Sequence, residues 1–448
     1  MPAKYHTPLL LLLLAVAWAQ PPQALSLRDC IRYALTHAPS VQNAYLDYQI
    51  ARQKIAEVRA AGLPQINGNA SFRYFVEIPT SLVPGEFFGA PRGTFIPVRF
   101  GVPYNLEISA SATQLLFDGT YFVGLQAAKA VKELTYKSYQ RSKTETIAAI
   151  SKAYYTALVS QERLRLLSQN IQQIEVLLRQ VQGLYENGFA EKLDLQRIEV
   201  SLNNLRTEHS KAAEMTGLAY LALKLQMGMP LETAISLTDT LAPTELLALL
   251  PESLSTSTFE VSQRWEYQIL LQQRRALELN LKRYQVSYLP SLVFVGNVAT
   301  QAQRREFDIF DPKKRWFPIA FVGVQLQVPL FDGLRRASQV AQARLELQKN
   351  QNDLFQLRQA LTLEAETARR TLLNSLRNLE IQRRNLDLAR EVVETAQRKQ
   401  SLGVGSTIEV LQAQTSYEQA QTHYTTALLE AYLAYIDWQK AIGTLPTE

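Results

Sequence analysis

The chain has 448 residues, of which 47% are hydrophobic and 20% are charged, and its formal net charge is +6. A single cysteine excludes a disulfide framework within the chain, and four histidines without an HExxH pair leave little for metal chemistry. The basic residues are spread along the chain instead of forming the concentrated patch that is typical of nucleic-acid-binding proteins. We therefore predict no cofactor, no metal and no nucleic-acid partner.

The N-terminus has the pattern of a secretory signal peptide over residues 1–19. Lys4 precedes an apolar run that is too short to span a bilayer, and Ala17-Trp18-Ala19 supplies the small residues of a cleavage site. Cys30 lies well beyond that site, which favours a packed cysteine on a first helix over a lipid-modified one. No apolar run of 18 residues follows, which excludes a helical membrane protein and leaves open a transmembrane β-barrel.

Strand-like segments occur twice along the chain. Apolar and polar residues alternate there with the period of two that strands have, at residues 65–76, 105–113, 291–302 and 322–328. They predict two hairpins, at about 65–117 and about 291–330. The hairpin tips, residues 77–104 and 304–318, are rich in proline, glycine and aromatic residues, and we predict that the first tip is one long loop.

A long helix and a shorter one are predicted after each hairpin. The long ones are residues 120–187, which contain no proline, and residues 334–402, which contain neither proline nor glycine. The shorter ones, residues 190–227 and 406–442, carry apolar residues at alternating spacings of three and four, which predicts a coiled-coil seam. Their remaining faces are polar, which is more typical of thin walls in water than of a solid core.

Several short motifs recur about 215 residues further along the chain. The recurring pairs are LFDG at 116–119 and 330–333, Gly188 and Gly403, and Gly228 and Gly443. Such a long period indicates duplication rather than a solenoid repeat. We predict a first structural repeat at 20–230, an inter-repeat equatorial segment at 231–262 and a second repeat at 263–448.

The LFDG motifs lie where a predicted strand meets a predicted helix. The junction residues are Phe117, Asp118 and Gly119 in the first copy and Phe331, Asp332 and Gly333 in the second. Aspartate is a good helix N-cap, and glycine allows a sharp change of direction. Four strands cannot close a barrel in lipid, because the N–H and C=O groups at the two edges would lack partners. If these strands lie in a membrane, several chains must share one barrel.

In this arrangement the sequence resembles the TolC-type outer-membrane factors, the outer membrane efflux protein family. The resemblance rests on the duplication, the order of strands and helices, the LFDG junctions and residues 403–411. It implies a mixed α+β membrane protein that is mainly helical. It also implies a homotrimer, in which a twelve-stranded transmembrane β-barrel, with four strands from each chain, continues into a long periplasmic α-helical barrel.

The resemblance implies a function and partners as well. The protein would be an outer-membrane exit duct of a tripartite efflux pump or of a type I secretion system, passively conducting substrates to the exterior. Its partners would be outer-membrane lipid, a periplasmic adaptor (membrane fusion protein) and an inner-membrane transporter. It would not be an enzyme.

The resemblance further implies functional positions at the periplasmic end. The helical turns that would contact the adaptor are Gly188, Phe189 and Ala190, and Gly403, Val404 and Gly405. The pore constriction maps to Glu409 and Gln412, where the family often has two acidic residues, and Asp194 is the repeat equivalent of Glu409. A simpler interpretation of Glu409 and Asp194 stays open. Each lies in the first turn of a predicted helix, where the helix dipole stabilises a carboxylate.

Two other functions are compatible with parts of the pattern. One is a periplasmic coiled-coil scaffold or adaptor without a channel, which the alternating strands disfavour. The other is an envelope enzyme, which the sequence disfavours because it lacks a GxSxG motif, a Cys/His pair and paired carboxylates in a cleft-forming context.

Overall fold

The computed structural model describes residues 23–248 and 259–445. The predicted signal peptide at 1–19 lies outside these ranges, as does part of the predicted segment 231–262. The helices in the described ranges are α1 (Leu27–His37), α2 (Pro39–Ala60), α3 (Gly119–Glu186), α4 (Lys192–Met227), α5 (Pro243–Leu247), α6 (Trp265–Val286), α7 (Arg335–Ser401) and α8 (Thr407–Ile442). None of these helices has the length and apolarity needed to cross a membrane.

The same ranges contain four short strands and four strands of ten or more residues. In chain order they are β1 (Gln23–Leu25), β2 (Gln65–Tyr74), β3 (Thr80–Pro84), β4 (Phe95–Arg99), β5 (Tyr104–Phe117), β6 (Ile235–Leu237), β7 (Ser291–Arg304) and β8 (Phe317–Gln327). Short 3₁₀ helices lie at Gly85–Phe88 and Val261–Gln263.

The chain divides into two compact units. The sheet unit comprises Ala44–Tyr139 and Trp265–Arg358, and the helical unit comprises the described parts of Met1–Asn43, Gln140–Arg264 and Gln359–Glu448. Each unit takes segments from both predicted repeats. The compact units therefore divide the chain differently from the repeats, which stay a prediction from the sequence.

The sheet unit is built around one antiparallel sheet with the strand order β2-β5-β7-β8. Each hairpin pairs within itself, and the two hairpins join through β5 and β7. The register runs across all four strands, so that Asn69 faces Ser109, Ser109 faces Ala299 and Ala299 faces Ile319. A bulge interrupts β5 between Leu115 and Phe117, close to the start of α3.

The first hairpin tip differs from the long loop that its composition predicts. Within residues 77–104, β3 and β4 form a separate antiparallel ribbon, in which Leu82 faces Pro97 and Pro84 faces Phe95. A two-stranded ribbon consists of edge strands only, and proline is tolerated on an edge whose N–H would point outward. The loop prediction is wrong here because proline disrupts a strand in the interior of a sheet but is compatible with an edge strand.

The helical unit is held together by the predicted seams. Leu372, Leu376 and Leu379 of α7 are buried against a row of small residues on α8 that includes Ala427 and Ala431. Alanine in a seam lets two helix backbones approach closely. A second cluster joins α3, α4 and the start of α8, and its buried members are Ile174, Leu177, Val181, Ile198, Leu202, Leu205 and Val410.

The N-terminal segment of the helical unit is tied to the region after α4. β1 pairs in parallel with β6, with Gln23 facing Ile235, a pairing that the sequence does not predict. Ser26 and Asp29 form a reciprocal capping box that starts α1. Cys30 is fully buried, which confirms the predicted packed cysteine, and burial raises the pKa of its thiol to about 12.

Candidate functional site

The four-stranded sheet has one apolar face. Residues that face each other in antiparallel strands project to the same side, and the next pair projects to the other side. One side collects the facing pairs Phe72 and Leu106, Ala70 and Ile108, Ala110 and Val298, and Phe294 and Val324. Several of these side chains are open to the surroundings, and Val322 on the same side is 78% exposed. A contiguous apolar face of this kind indicates contact with lipid or with another protein.

The opposite face of the sheet is mainly polar. It collects the facing pairs Ser71 and Glu107, Asn69 and Ser109, Ser111 and Asn297, and Asn105 and Gln303. The apolar exceptions on this face lie mostly on β7 and β8, and they are Leu115, Val293, Val295, Ala299, Phe317, Ile319 and Phe321. The sheet thus separates an apolar side from a mainly polar side, which is the pattern expected where lipid lies on one side and water on the other.

Both edges of this sheet are open in the single chain. Within the described residues β2 pairs only with β5, and β8 pairs only with β7. Ten residues of β2 and eleven residues of β8 therefore present an outer edge without a strand partner. In a hydrocarbon environment each unsatisfied backbone group costs several kcal/mol, so these edges need partner strands from outside the chain.

The turn between α3 and α4 contains the predicted residues Gly188, Phe189 and Ala190. Gly188 has a left-handed backbone with φ of +81°, and its N–H donates to the carbonyl of Tyr185 at 3.0 Å. The N–H of Phe189 donates to the carbonyl of Leu184 at 2.8 Å. These two bonds form a Schellman motif, which satisfies the last carbonyls of the helix and requires a residue that tolerates positive φ.

The turn between α7 and α8 closes in the same way. Gly403 has φ of +76° and donates to Gln400 at 3.0 Å, while Val404 donates to Lys399 at 3.1 Å. Gly405 is needed for another reason, since a Cβ there would lie 2.9 Å from the backbone nitrogen of Gln400. The sequence pattern Gly-x-Gly at this turn therefore serves two separate steric requirements.

Apolar side chains are exposed at both turns. Phe189 is 82% exposed and Val404 is 77% exposed, and Leu402 is also open. In contrast, Ala190 packs against the same buried cluster as Val410, near the start of α8. The turns are therefore anchored by the core of the helical unit, while their outermost apolar side chains remain accessible.

The predicted constriction residues lie close to these turns. Glu409 and Gln412 are both exposed on α8, and the residues that follow them, Val410 and Ala413, are buried. The backbone N–H of Glu409 donates to the Ser406 hydroxyl, which caps the helix. Asp194 is partly buried in the first turn of α4, and its carboxylate lies 3.8 Å from Arg197.

The strand-to-helix junctions differ between the two halves of the chain. Asp118 caps α3, because its Oδ1 accepts from the N–H groups of Thr120 at 2.6 Å and Tyr121 at 3.2 Å. Gly119 is needed for packing, since a Cβ there would lie 3.0 Å from the Cβ of Val286. This junction is direct, because β5 ends at Phe117.

The second junction is longer than the first. β8 ends at Gln327 and α7 begins at Arg335, so that residues 328–334 separate the strand from the helix. Asp332 still bonds the start of α7, accepting from the N–H of Arg336 at 3.1 Å. Gly333 and Leu334 both have positive φ, and Phe331 is exposed.

Sequence reasoning missed a polar stripe on α8 within the helical unit. Asn170 of α3 donates to Gln421 at 2.7 Å, and Gln414 donates to Gln173 of α3 at 3.2 Å. Gln414, Gln421 and Asn170 are buried. Polar residues at 414, 418, 421 and 425 share one helical face, and this spacing is the signal that could have revealed the stripe.

Glu418 is the titratable member of that stripe. Its Oε1 atom is buried without a hydrogen-bond partner, and burial raises the pKa of its carboxyl to about 7, against a smaller opposite effect of the Gln414 hydrogen bond. Glu418 also lines a groove of about 560 Å³ between α4 and α8, together with Leu193, Arg197, Glu208 and Leu411.

An exposed apolar face on an open-edged sheet, together with paired long helices, fits a membrane protein of mixed strand and helix architecture. The chain belongs to the outer membrane efflux protein family, whose model matches residues 30–229 and 270–444. The predicted family, the predicted mainly helical α+β fold class and the predicted outer-membrane location with a periplasmic helical part are thereby confirmed.

Known relatives match nearly the whole chain. The "Alkaline protease secretion protein AprF" of Pseudomonas aeruginosa is 23% identical over 438 residues, which cover 94% of this chain and 85% of that protein. The "Outer membrane protein TolC" of Vibrio cholerae is 20% identical over 440 residues, covering 96% and 92%. The solved structure of the outer membrane protein VceC of Vibrio cholerae has a TM-score of 0.68 at 16% identity, covering 93% and 96%, which shows a shared fold.

Proposed function

We propose that this protein is the outer-membrane exit duct of a tripartite efflux pump or of a type I secretion system, and that it conducts its substrates passively and catalyses no reaction. The observation that carries the proposal is the exposed apolar face of the sheet formed by β2, β5, β7 and β8. This face suits lipid, and the mainly polar face behind it suits a water-filled lumen. The names of the relatives, a protease secretion protein among them, support the same function.

The open edges support a shared barrel. If β8 of one chain pairs with β2 of the next, three chains close a twelve-stranded ring in which every edge is satisfied. Such an interface is heterologous, since each chain uses two different surfaces, and it closes through rotational symmetry. The homotrimer is therefore the assembly that we propose.

Disulfide crosslinking tests this assembly. Ser71 of β2 and Phe321 of β8 both lie on the mainly polar face, on the two outer strands of the sheet. In a Cys30→Ser background, Ser71→Cys combined with a cysteine scan at 319, 321 and 323 should give a covalent trimer at one register after mild oxidation. The matched control is Ser71→Cys alone, which should form no covalent trimer, because its partner edge lacks a thiol.

Conductance is the complementary measurement. Purified protein in planar bilayers should form channels, and the particle should run as an oligomer in detergent. A particle that stays monomeric and leaves the bilayer impermeable would contradict the proposal and would favour the scaffold instead.

The two helical turns suit a periplasmic adaptor. Phe189, Leu402 and Val404 are apolar and exposed, and the core holds the turns in place, so a partner could cover these side chains without reorganising the helices. We place adaptor contact at Gly188, Phe189 and Ala190 and at Gly403, Val404 and Gly405, and the inner-membrane transporter completes the assembly through that adaptor.

Glu409 and Gln412 suit the channel lining near these turns, with Asp194 as a supporting position. Three copies of an exposed carboxylate around one axis would attract cations. Glu409→Gln should lower the cation preference of the channel in salt-gradient bilayer recordings, while Glu430→Gln, an exposed acid elsewhere on α8, should leave it unchanged. Equal selectivity in both variants would remove Glu409 from the lining.

A further inference from the structure

A basic groove lies between α2 and α3 in the sheet unit. Its volume is about 740 Å³, and its chemistry comes from Tyr48, Arg52 and Arg59 of α2 and Lys129, Lys132 and Glu133 of α3. On α2 the spacings of four and seven residues put these side chains on one helical face. The rings of Tyr48 and Tyr136 lie 5.6 Å apart and join the two helices at the far end of the groove.

The charge of this groove is strongly positive. Lys132 is paired with Glu133 at 2.7 Å. Arg52, Arg59 and Lys129 are exposed, and within the described residues none of them has an ion-pair partner. The four cations and one carboxylate give the lining a net charge of +3. A surplus of this size, with guanidinium groups that can bind two oxygens at once, suits a phosphate-bearing ligand.

The groove begins beside the strands. Arg59 precedes the first residue of β2 by six positions, and its carbonyl accepts from the hydroxyl of Tyr121, which lies just after the end of β5. Lys129 is ten residues beyond the start of α3, which corresponds to about 15 Å along a helix. The cations therefore extend from the helix-side end of the sheet, where lipid headgroups would meet a sheet that spans a membrane.

The second half of the chain lacks these cations at the matching positions. The boundary from α6 to β7 repeats the boundary from α2 to β2 after 226 residues, and the LFDG motifs repeat after 214. At these offsets Arg52 corresponds to Glu278, Arg59 to Gln285, Lys129 to Ala343 and Lys132 to Glu346. The basic groove is thus a property of the first half alone and not a general consequence of the fold.

We propose that this groove binds the phosphate headgroup of an anionic phospholipid in the membrane leaflet on the helix side of the sheet. Basic pockets beside membrane-spanning segments are suited to such headgroups, because several cations converge on one phosphate. The inference rests on the proposed function to the extent that the sheet lies in the outer membrane.

Native mass spectrometry of the delipidated full-length protein tests the site. The probes are phosphatidylglycerol, which is anionic, and phosphatidylcholine, which is zwitterionic. The test variant is Arg52→Gln/Arg59→Gln/Lys129→Gln. The control variant is Lys54→Gln/Arg274→Gln/Arg275→Gln, which removes the same charge from cations of the sheet unit that are paired with Glu57 and Glu278.

We expect the wild type and the control variant to bind phosphatidylglycerol more tightly than phosphatidylcholine. The test variant should lose about a hundredfold in affinity for phosphatidylglycerol, at about a fivefold factor for each cation. Arg52→Lys/Arg59→Lys should keep most of the binding, since the charge remains.

Three results would overturn the inference. They are equal binding of the two lipids by the wild type, equal losses in the test and control variants, and displacement of the lipid by millimolar inorganic phosphate, which would indicate a site for free anions. Conductance separates this inference from the proposed function, because the test variant should still form channels in neutral bilayers. If the wild-type protein formed no channels in these bilayers, the proposed function as an exit duct would itself be contradicted.

Discussion

Four helix ends in this protein close with the same backbone motif but have different surroundings. Gly188, Gly228, Gly403 and Gly443 all have positive φ. At Gly188 and Gly403 a Cβ would meet nothing within 4 Å, whereas at Gly228 it would lie 2.7 Å from the carbonyl oxygen of His37. The residue that follows the glycine shows the same contrast, because Phe189 and Val404 are exposed while Met229 is buried.

This difference separates a local requirement from a tertiary one. The glycine closes the helix in every case because it tolerates the left-handed backbone, and at Gly228 the neighbouring backbone leaves no room for a Cβ as well. The apolar residue after it is explained by packing at Met229, but nothing within the described chain explains it at Phe189 and Val404. Such unexplained exposed apolar residues are the ones that suit a binding partner.

The largest expected effect is at Gly228, where the helix end is packed against the backbone of His37 and Ala38. Gly228→Ala should lower the free energy of unfolding by about 3 kcal/mol, because it adds strain at positive φ to a clash with the backbone of His37 and Ala38. Urea denaturation in detergent, followed by circular dichroism, measures this change. A loss no greater than that of Gly188→Ala would contradict the contrast between the two kinds of end.

The next largest effect concerns Glu418, which lies between the two ends of α8, and the pH dependence of stability that it causes. The pKa of Glu418 is raised to about 7 from 4.5, so the folded state holds this proton more tightly than the unfolded state does. The resulting stability is complete below pH 4.5 and is lost as the pH rises through 7. Between pH 5 and pH 8 we expect a loss of about 2 kcal/mol, after a reduction for partial solvent screening.

Glu418→Gln should remove most of this pH dependence and keep the size of the side chain. Glu430→Gln, on the exposed side of α8, is the matched control and should retain the dependence of the wild type. Denaturation midpoints at pH 5 and pH 8 provide the measurement, and parallel pH profiles for Glu418→Gln and the wild type would rule out this carboxyl as the source.

A smaller effect is expected at Gly188 and Gly403, where the helix ends are not packed against other residues. Gly188→Ala and Gly403→Ala should each cost about 1 kcal/mol, since the added methyl group meets no atom and only the left-handed backbone is strained. Asn at the same positions should cost less, because it tolerates this conformation. A cost of 3 kcal/mol would mean that these turns are packed in the folded protein after all.

The smallest effect on stability is expected for the exposed apolar residues themselves. Phe189→Ser and Val404→Ser should each change the free energy of unfolding by less than about 0.5 kcal/mol. They should nevertheless weaken binding of the adaptor about tenfold or more in a pull-down or biolayer measurement. Leu388→Ser, an exposed apolar residue along α7, is the control and should leave adaptor binding unchanged.

Much of the fold could be predicted because its signals are local in the sequence. The heptad that contains Leu372 and Leu379, the alternating strands and the glycines at helix ends each reflect a constraint that acts within a few turns of the chain. The exposed apolar face of the sheet needed the structure, since only the register shows that Ala110 and Val298 lie on one side.

The features that the sequence did not predict depend on residues that are distant along the chain. The β1–β6 pair joins positions more than 200 residues apart, and β3 and β4 pair with each other across a proline-rich tip. The spacing of polar residues on α8 could reveal the stripe, but the burial of the Glu418 carboxyl also depends on the neighbouring helices α3 and α4. The basic groove likewise arises only when Arg52 and Lys129 come together from two helices.

The open edges of β2 and β8 also have a genetic consequence. In a head-to-tail ring every copy supplies one edge to each neighbour, and so a single copy with a disabled β8 edge would leave any ring that it enters incomplete. In the homotrimer that we propose, co-expression of such an allele with the wild type would disable every mixed ring, and the share of intact rings would fall as the cube of the wild-type fraction. Impaired alleles of this chain would therefore be dominant when their defect lies on an edge, and recessive when it prevents folding altogether.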